Sequence, residues 1–80
     1  MPYIVYAIKS QVENRIYVGF TKNLEKRIKE HNAGKTKSTK GFRPWFLIFK
    51  TECGTRIEAR NLEKYYKGGS GKEKLKYLAP

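Results

Sequence analysis

Eighty residues are enough for one domain with a thin core, and the hydrophobic share of 39%, with 14% aromatics, can supply that core but holds no run long enough for a membrane-spanning helix. Eighteen Lys and Arg against seven Asp and Glu leave a formal charge of +11, which repels itself unless an anionic partner is near. Nucleic acid, met through its phosphates, is the commonest such partner, and a solvated basic surface is the bland alternative. Cys53 and His31 are the only residues of their kinds, which excludes an intrachain disulfide and a Cys/His zinc cage and fits a reducing compartment. Met1-Pro2-Tyr3 opens no basic region followed by an apolar stretch, so a signal peptide is not expected.

Tyr3-Ile4-Val5-Tyr6-Ala7-Ile8 is β-rich and almost wholly apolar, the pattern of a strand buried on both faces. Ser10 to Asn14 reads as a hairpin loop, and Arg15 to Val18 as a second strand that Gly19 ends. Asn23 is placed to cap a helix, with Glu25 in its first turn favouring the helix dipole. That helix should stop at Asn32-Ala33-Gly34, with Gly34 in the left-handed position. Lys35 to Pro44 is polar and basic and reads as a loop. Trp45 to Phe49 forms a third strand, opened by a proline that cannot sit deep in a ladder, with Trp45 in the core. Cys53-Gly54 marks a turn. Thr55 and Glu58 match a capping box that opens a second helix, which Gly68-Gly69 ends. Ser70 and Glu73 match another, opening a short final helix with Leu75 and Leu78 on one side. The order β-β-α-β-α-α describes an α+β domain over residues 1–80, a small three-stranded antiparallel sheet flanked by helices.

Two helices carry polar residues where burial is expected. Leu24, Arg27, Ile28 and His31 fall at i, i+3, i+4 and i+7 and so share one face. On the second helix Ala59, Leu62 and Tyr66 form the apolar stripe, and Glu63 lies at its margin, costly unless paired or bound to a cation. Singly, Tyr6 and Tyr17 read as core tyrosines, Arg27 and His31 as side chains reaching out at the stripe's edge, and Glu63 as a partner for Arg27. Tyr65-Tyr66 reads as one surface and one core residue. Together the polar residues would converge on one small sheet, as the groups of a site do.

Val5-Tyr6, then Tyr17-Val18-Gly19, then Thr21, Leu24, Arg27 and His31, then Ala59 and Glu63 resemble, in order and spacing, the GIY-YIG nuclease domain. The likeness is greatest to its small single-domain bacterial members, related to the catalytic module of excision-repair and structure-specific nucleases. It covers nearly the whole chain, including Arg43-Pro44-Trp45 and the spacing from Glu63 to Lys67. The chain departs from the pattern at Ile4-Val5-Tyr6, where a glycine is missing, and lacks the late asparagine of some larger relatives.

The resemblance implies hydrolysis of DNA phosphodiesters with one divalent metal, Mg²⁺ or Mn²⁺. Glu63 would be its sole protein ligand, which suffices for Mg²⁺ because that ion keeps waters and takes substrate oxygens. Arg27 would hold a phosphate oxygen, and Tyr6 or Tyr17 would accept the proton of the attacking water, nearby cations favouring the phenolate. His31 would orient a tyrosine or shuttle a proton, and Gly19 would let backbone or phosphate approach closely. Tyr6, Tyr17, Arg27, His31 and Glu63 should then line one side of the sheet. Lys35, Lys37, Lys40, Arg43 and Lys67 would meet the backbone of DNA, branched or flapped forms included, with Phe42 and Trp45 available for stacking. Such a protein would work in the cytoplasm, at the nucleoid. The alternative is a non-catalytic nucleic-acid-binding module on the same fold. Lys40-Gly41-Phe42 fails as an RNA-recognition signature because Arg43-Pro44 interrupts the strand it needs, and a Cys53 without a base nearby is no catalytic thiol.

Overall fold

The central strand is the one whose apolar run has no polar side. In the computed structural model, which describes residues 2–78, β1 (Tyr3–Ser10) pairs antiparallel on one side with β2 (Ile16–Thr21) and on the other with β3 (Trp45–Cys53). Helix α1 (Leu24–Asn32) follows β2, and α2 (Arg56–Lys67) and α3 (Gly69–Leu78) follow β3. The fold is therefore the expected α+β arrangement in the order β-β-α-β-α-α. Met1, Ala79 and Pro80, which the expected domain of residues 1–80 includes, lie outside the described residues. Among those described, no helix is long and apolar enough to cross a membrane.

Alternation along β1 divides the core in two, because successive side chains point to opposite faces. Tyr6 and Ile8 face one way and gather Trp45, Tyr17, Phe42 and the Leu24 and Ile28 of α1. Val5 and Ala7 face the other way and gather Val18, Cys53, the Ala59, Leu62 and Tyr66 of α2, and the Leu75 of α3. The sheet is thus covered by α1 on one face and by α2 and α3 on the other.

Local chemistry sets the helix ends much as expected. The Asn23 side chain accepts the Lys26 N–H at 3.1 Å, and Thr55 Oγ1 accepts the Glu58 N–H at 3.2 Å. Gly34, past the end of α1, has φ +79°, a conformation that costs a side-chain-bearing residue energy.

Several boundaries differ from the sequence reading. β2 does not end at Gly19 but runs to Thr21, because a ladder uses backbone groups that glycine also carries, and Gly19 pairs squarely with Tyr6. β3 continues past Phe49 to Cys53, with Lys50 and Glu52 exposed and Cys53 buried, so Cys53 closes a strand and is not in a turn. The basic loop holds a 3₁₀ turn at Lys40–Phe42. α3 starts at Gly69, which places Ser70 within the helix, not at its cap. Gly68 alone separates the helices: its N–H bonds back to Lys64 and Tyr65, and its carbonyl accepts from Lys72 at 2.9 Å. Leu78 does not share the burial of Leu75 and is 53% exposed. The buried residues of α3 are Gly71 and Leu75, four apart, and Leu78, though it shares their stripe by spacing, is the last residue of the helix and is left open to solvent.

Candidate active site

Tyr6 stands opposite Gly19, and residues paired in this way project to the same face. A Cβ at position 19 would lie 2.9 Å from Tyr6 Oη and 3.1 Å from the Tyr17 ring. The group that comes close to Gly19 within the chain is therefore the Tyr6 phenol, which the missing side chain allows to lie across the edge strand.

That phenol meets His31. His31 is fully buried in the last turn of α1, with Nε2 2.8 Å from Tyr6 Oη and Nδ1 2.9 Å from Thr39 Oγ1. Thr39, also fully buried, donates in turn to the Thr36 carbonyl at 3.3 Å. With the Thr39 proton so used, His31 carries its own proton on Nδ1 and accepts the Tyr6 proton at Nε2. Thr39 also accepts, at its carbonyl, the Trp45 indole N–H at 2.9 Å. Asn32 grips Trp45 from the next position, accepting its N–H at 2.7 Å and donating to its carbonyl at 3.2 Å. Thr39 escapes sequence reasoning because a threonine among loop lysines carries no periodic signal.

Burial sets the protonation of this chain. It pushes His31 down to about 4, with the Arg27 charge adding to the effect and Glu30 opposing it, so the imidazole is neutral near neutral pH. Burial likewise pushes the Tyr6 phenol up to about 12, against the hydrogen bond and charge of Arg27, while Tyr17 and Glu63 add to the rise. The expectation that nearby cations favour the phenolate thus fails at Tyr6: desolvation outweighs them.

Tyr17 is placed differently. Its ring lies 4.9 Å from that of His31 and 6.4 Å from that of Tyr6, yet it is only half buried. It lines two adjoining hollows of about 430 and about 210 Å³. Of the two tyrosines, it is the one that reaches open space, Tyr6 being 1% exposed.

Arg27 lies one turn before His31 with its side chain 34% exposed, and its Nη1 donates to Glu30 Oε1 at 3.2 Å. Burial works against its charge, but hydrogen bonding to Tyr6 and Glu30 more than offsets this and keeps it above the usual range. Glu30 was not singled out in the sequence, although its spacing from Arg27 was the available signal.

Glu63 comes from a different layer than Arg27 and His31. It belongs to α2, on the opposite layer, and its half-buried carboxylate lies 3.5 Å from Lys67 Nζ. The ion pair suggested by sequence, Glu63 with Arg27, gives way to Arg27–Glu30 and Glu63–Lys67. The separation is incomplete because β2 is an edge strand around which the layers meet. The Glu63 charge is felt at the Tyr6 hydroxyl, and Lys67 lines the smaller hollow together with Tyr17.

Among the described residues no three His, Cys, Asp or Glu converge, so a closed cage of protein ligands does not fit. A single half-buried carboxylate does fit Mg²⁺ or Mn²⁺, which retain water and bind substrate oxygens.

Lys35, Lys37, Lys40 and Arg43 are exposed and none lines either hollow. Arg43 instead donates to the Lys40 carbonyl at 2.9 Å and packs over Gly34. Trp45 is 5% exposed, in the core as expected. The cations at the larger hollow are Arg15, Lys72 and Lys76, none of which stood out in the sequence.

The chain is similar to known proteins in sequence and in fold. Residues 2–76 match the GIY-YIG catalytic domain. The chain is 42% identical over 74 residues to UPF0213 protein YazA of Bacillus subtilis (strain 168), spanning 91% of this chain and 74% of that one. It is 40% identical over 50 residues to the structure-specific endonuclease subunit slx1 of Xenopus laevis, spanning 58% of this chain but 18% of that one. The solution NMR structure of UPF0213 protein BH0048 from Bacillus halodurans superposes with a TM-score of 0.58 at 31% identity, covering 98% of this chain and 85% of that one.

Proposed function

The chain belongs to the GIY-YIG nuclease family, and on that footing we propose that it hydrolyses phosphodiester bonds in DNA with a divalent cation. One observation carries the reading: Tyr6, Tyr17, Arg27 and His31 converge over Gly19 at the sheet edge around which Glu63 acts from the opposite layer.

Access assigns the roles. Tyr17, facing the hollows, would take the proton of the attacking water in its phenolate form, becoming the phenol, with the Arg27 charge offsetting that of the phenolate. Tyr6, 1% exposed and bonded to His31, is a positioning residue for that pair. Arg27 forks a phosphate oxygen, and the Glu30 carboxylate holds its guanidinium in place until it does so. Glu63 holds the cation, Mg²⁺ or Mn²⁺, which when bound supplies charge to offset that developing on the phosphate and the leaving oxygen. Likeness to a structure-specific endonuclease subunit supports branched or flapped DNA as substrate, and with such a substrate the protein would work at the nucleoid.

The test is incubation with branched, flapped and plain DNAs, with and without Mg²⁺ or Mn²⁺. Wild type should cut at least one of them, and Glu63→Gln, nearly equal in volume, should lose cleavage by roughly 10²–10³-fold while still binding. If wild type cuts none, the protein is a non-catalytic binding module on this fold. If Glu63→Gln cuts equally well, another group holds the cation.

A further inference from the structure

The two hollows are one groove. They share Ile16, Tyr17 and Lys72, and together run along the outer edge of β2 from Phe42 at one end to Lys67 at the other. We infer that this groove seats a single unpaired nucleic-acid strand beside the bond to be cut, with Lys72 and Lys76 of α3 gripping its phosphates. The inference rests on the nuclease reading and adds the path of the substrate.

Charge, shape and ring chemistry all point to that occupant. The groove carries four cations, Arg15, Lys67, Lys72 and Lys76, and no carboxylate is among the residues that line it. Glu13 and Glu63 touch it only at the two ends, through Arg15 and Lys67. Spaces of about 430 and about 210 Å³ admit the backbone and a base or two of one strand, not a paired duplex. Aromatic rings on the walls suit unpaired bases, since stacking needs a free base face.

The grip is built in advance. Lys72 and Lys76 are four apart and so share a face of α3, while Leu75 and Gly71 anchor that helix to the core. The Arg15 guanidinium is held 4.2 Å over the Phe42 ring and 2.9 Å from Glu13, so little freedom remains to be lost on meeting a phosphate. Lys72 borders both hollows beside Tyr17, where the strand would pass from the groove to the site. The loop lysines at 35, 37 and 40 lie outside this path.

The test is fluorescence anisotropy without divalent metal, so that nothing is cut, using a labelled single strand, a flapped duplex and a blunt duplex. Wild type should bind the first two more tightly than the third. Lys72→Ala/Lys76→Ala should weaken the first two roughly tenfold and cut the slope of log affinity against log salt by about 1.4, two contacts at ~0.7 each, with little change on blunt duplex. Lys72→Arg/Lys76→Arg should restore binding. Arg60→Ala/Lys64→Ala, which removes equal charge from the exposed side of α2, should bind as wild type does. Unchanged binding in the α3 variant, an equal loss on blunt duplex, or wild-type preference for blunt duplex would each overturn the inference. Failure of the nuclease reading is separate: a wild type that cuts nothing but shows the α3-dependent preference keeps the groove and loses the catalysis.

Discussion

Tyr6 and Tyr17 are the same residue type on paired strands of one small sheet, and burial separates their surroundings. Tyr6→Phe keeps the ring but leaves the buried His31 Nε2 without its donor, so it should cost about 1–3 kcal/mol of stability. Tyr17→Phe, at a half-exposed position, should cost under about 0.5 kcal/mol. Denaturant titrations measure that contrast, and single-turnover cleavage should show the larger rate loss in Tyr17→Phe. The reverse order in either assay would exchange the two roles. His31 gives the fold a pH dependence whose direction follows from its environment. An ordinary histidine protonates near 6.5, but the folded protein holds His31 neutral down to about 4. Its contribution is therefore complete above 6.5 and is lost as the pH falls from there to about 4, amounting to about 3–4 kcal/mol at ~1.4 per unit. His31→Gln should be less stable at neutral pH and lose less on acidification. Parallel stability curves for the two proteins would mean that His31 is not held neutral by the fold.

The helices depend on contacts that their propensities alone do not reveal. At Gly71 of α3, an added Cβ would lie 2.6 Å from Tyr66 Cα and collide with the Tyr65 carbonyl, both backbone groups of α2 that cannot turn aside. Alanine is the better helix former by roughly 1 kcal/mol, but overpacking a rigid contact costs about 1–3. Gly71→Ala should therefore destabilise, and by moving α3 it should also weaken the grip of Lys72 and Lys76. At Gly69, by contrast, nothing lies within 4 Å of the added atom, so Gly69→Ala should be neutral or slightly stabilising. Thermal or denaturant unfolding of the pair checks this, and equal losses would show that α3 is not packed through Gly71.

Across the whole molecule, +11 of net charge favours polyanions as partners but gives no location for the contact. Affinity for DNA should fall steeply with salt. Replacing Lys35, Lys37 and Lys40 by alanine should flatten the slope on duplex by up to about 2.7, three contacts at ~0.9 each, if all three touch phosphate. An unchanged slope would leave α3 and Arg15 as the binding face. The chain measures 32 × 27 × 19 Å, so a duplex laid against it would span much of one surface. On the proposed path, exposed charge outside the groove would serve approach and loose holding, while the groove's cations would bear on one strand.

Local pattern carried the element order. The apolar run of β1, the caps at Asn23 and Thr55 and the left-handed Gly34 are written in side-chain chemistry that acts within a few residues. The same locality explains the failures. Periodicity shows which side of α2 is apolar, but not which face of the sheet it covers, so spacing does not say that the Glu63 charge acts on Tyr6 from a helix of the other layer. Gly19 looked like a strand end because its missing side chain is visible in sequence, whereas its pairing with Tyr6 is not. Nor could spacing foretell that Thr39 would bond His31, or that Lys72 and Lys76 would line a groove with Arg15. Those contacts join residues distant in the chain. They follow from the strand order β2-β1-β3, which leaves β2 at an edge where the two helical layers meet.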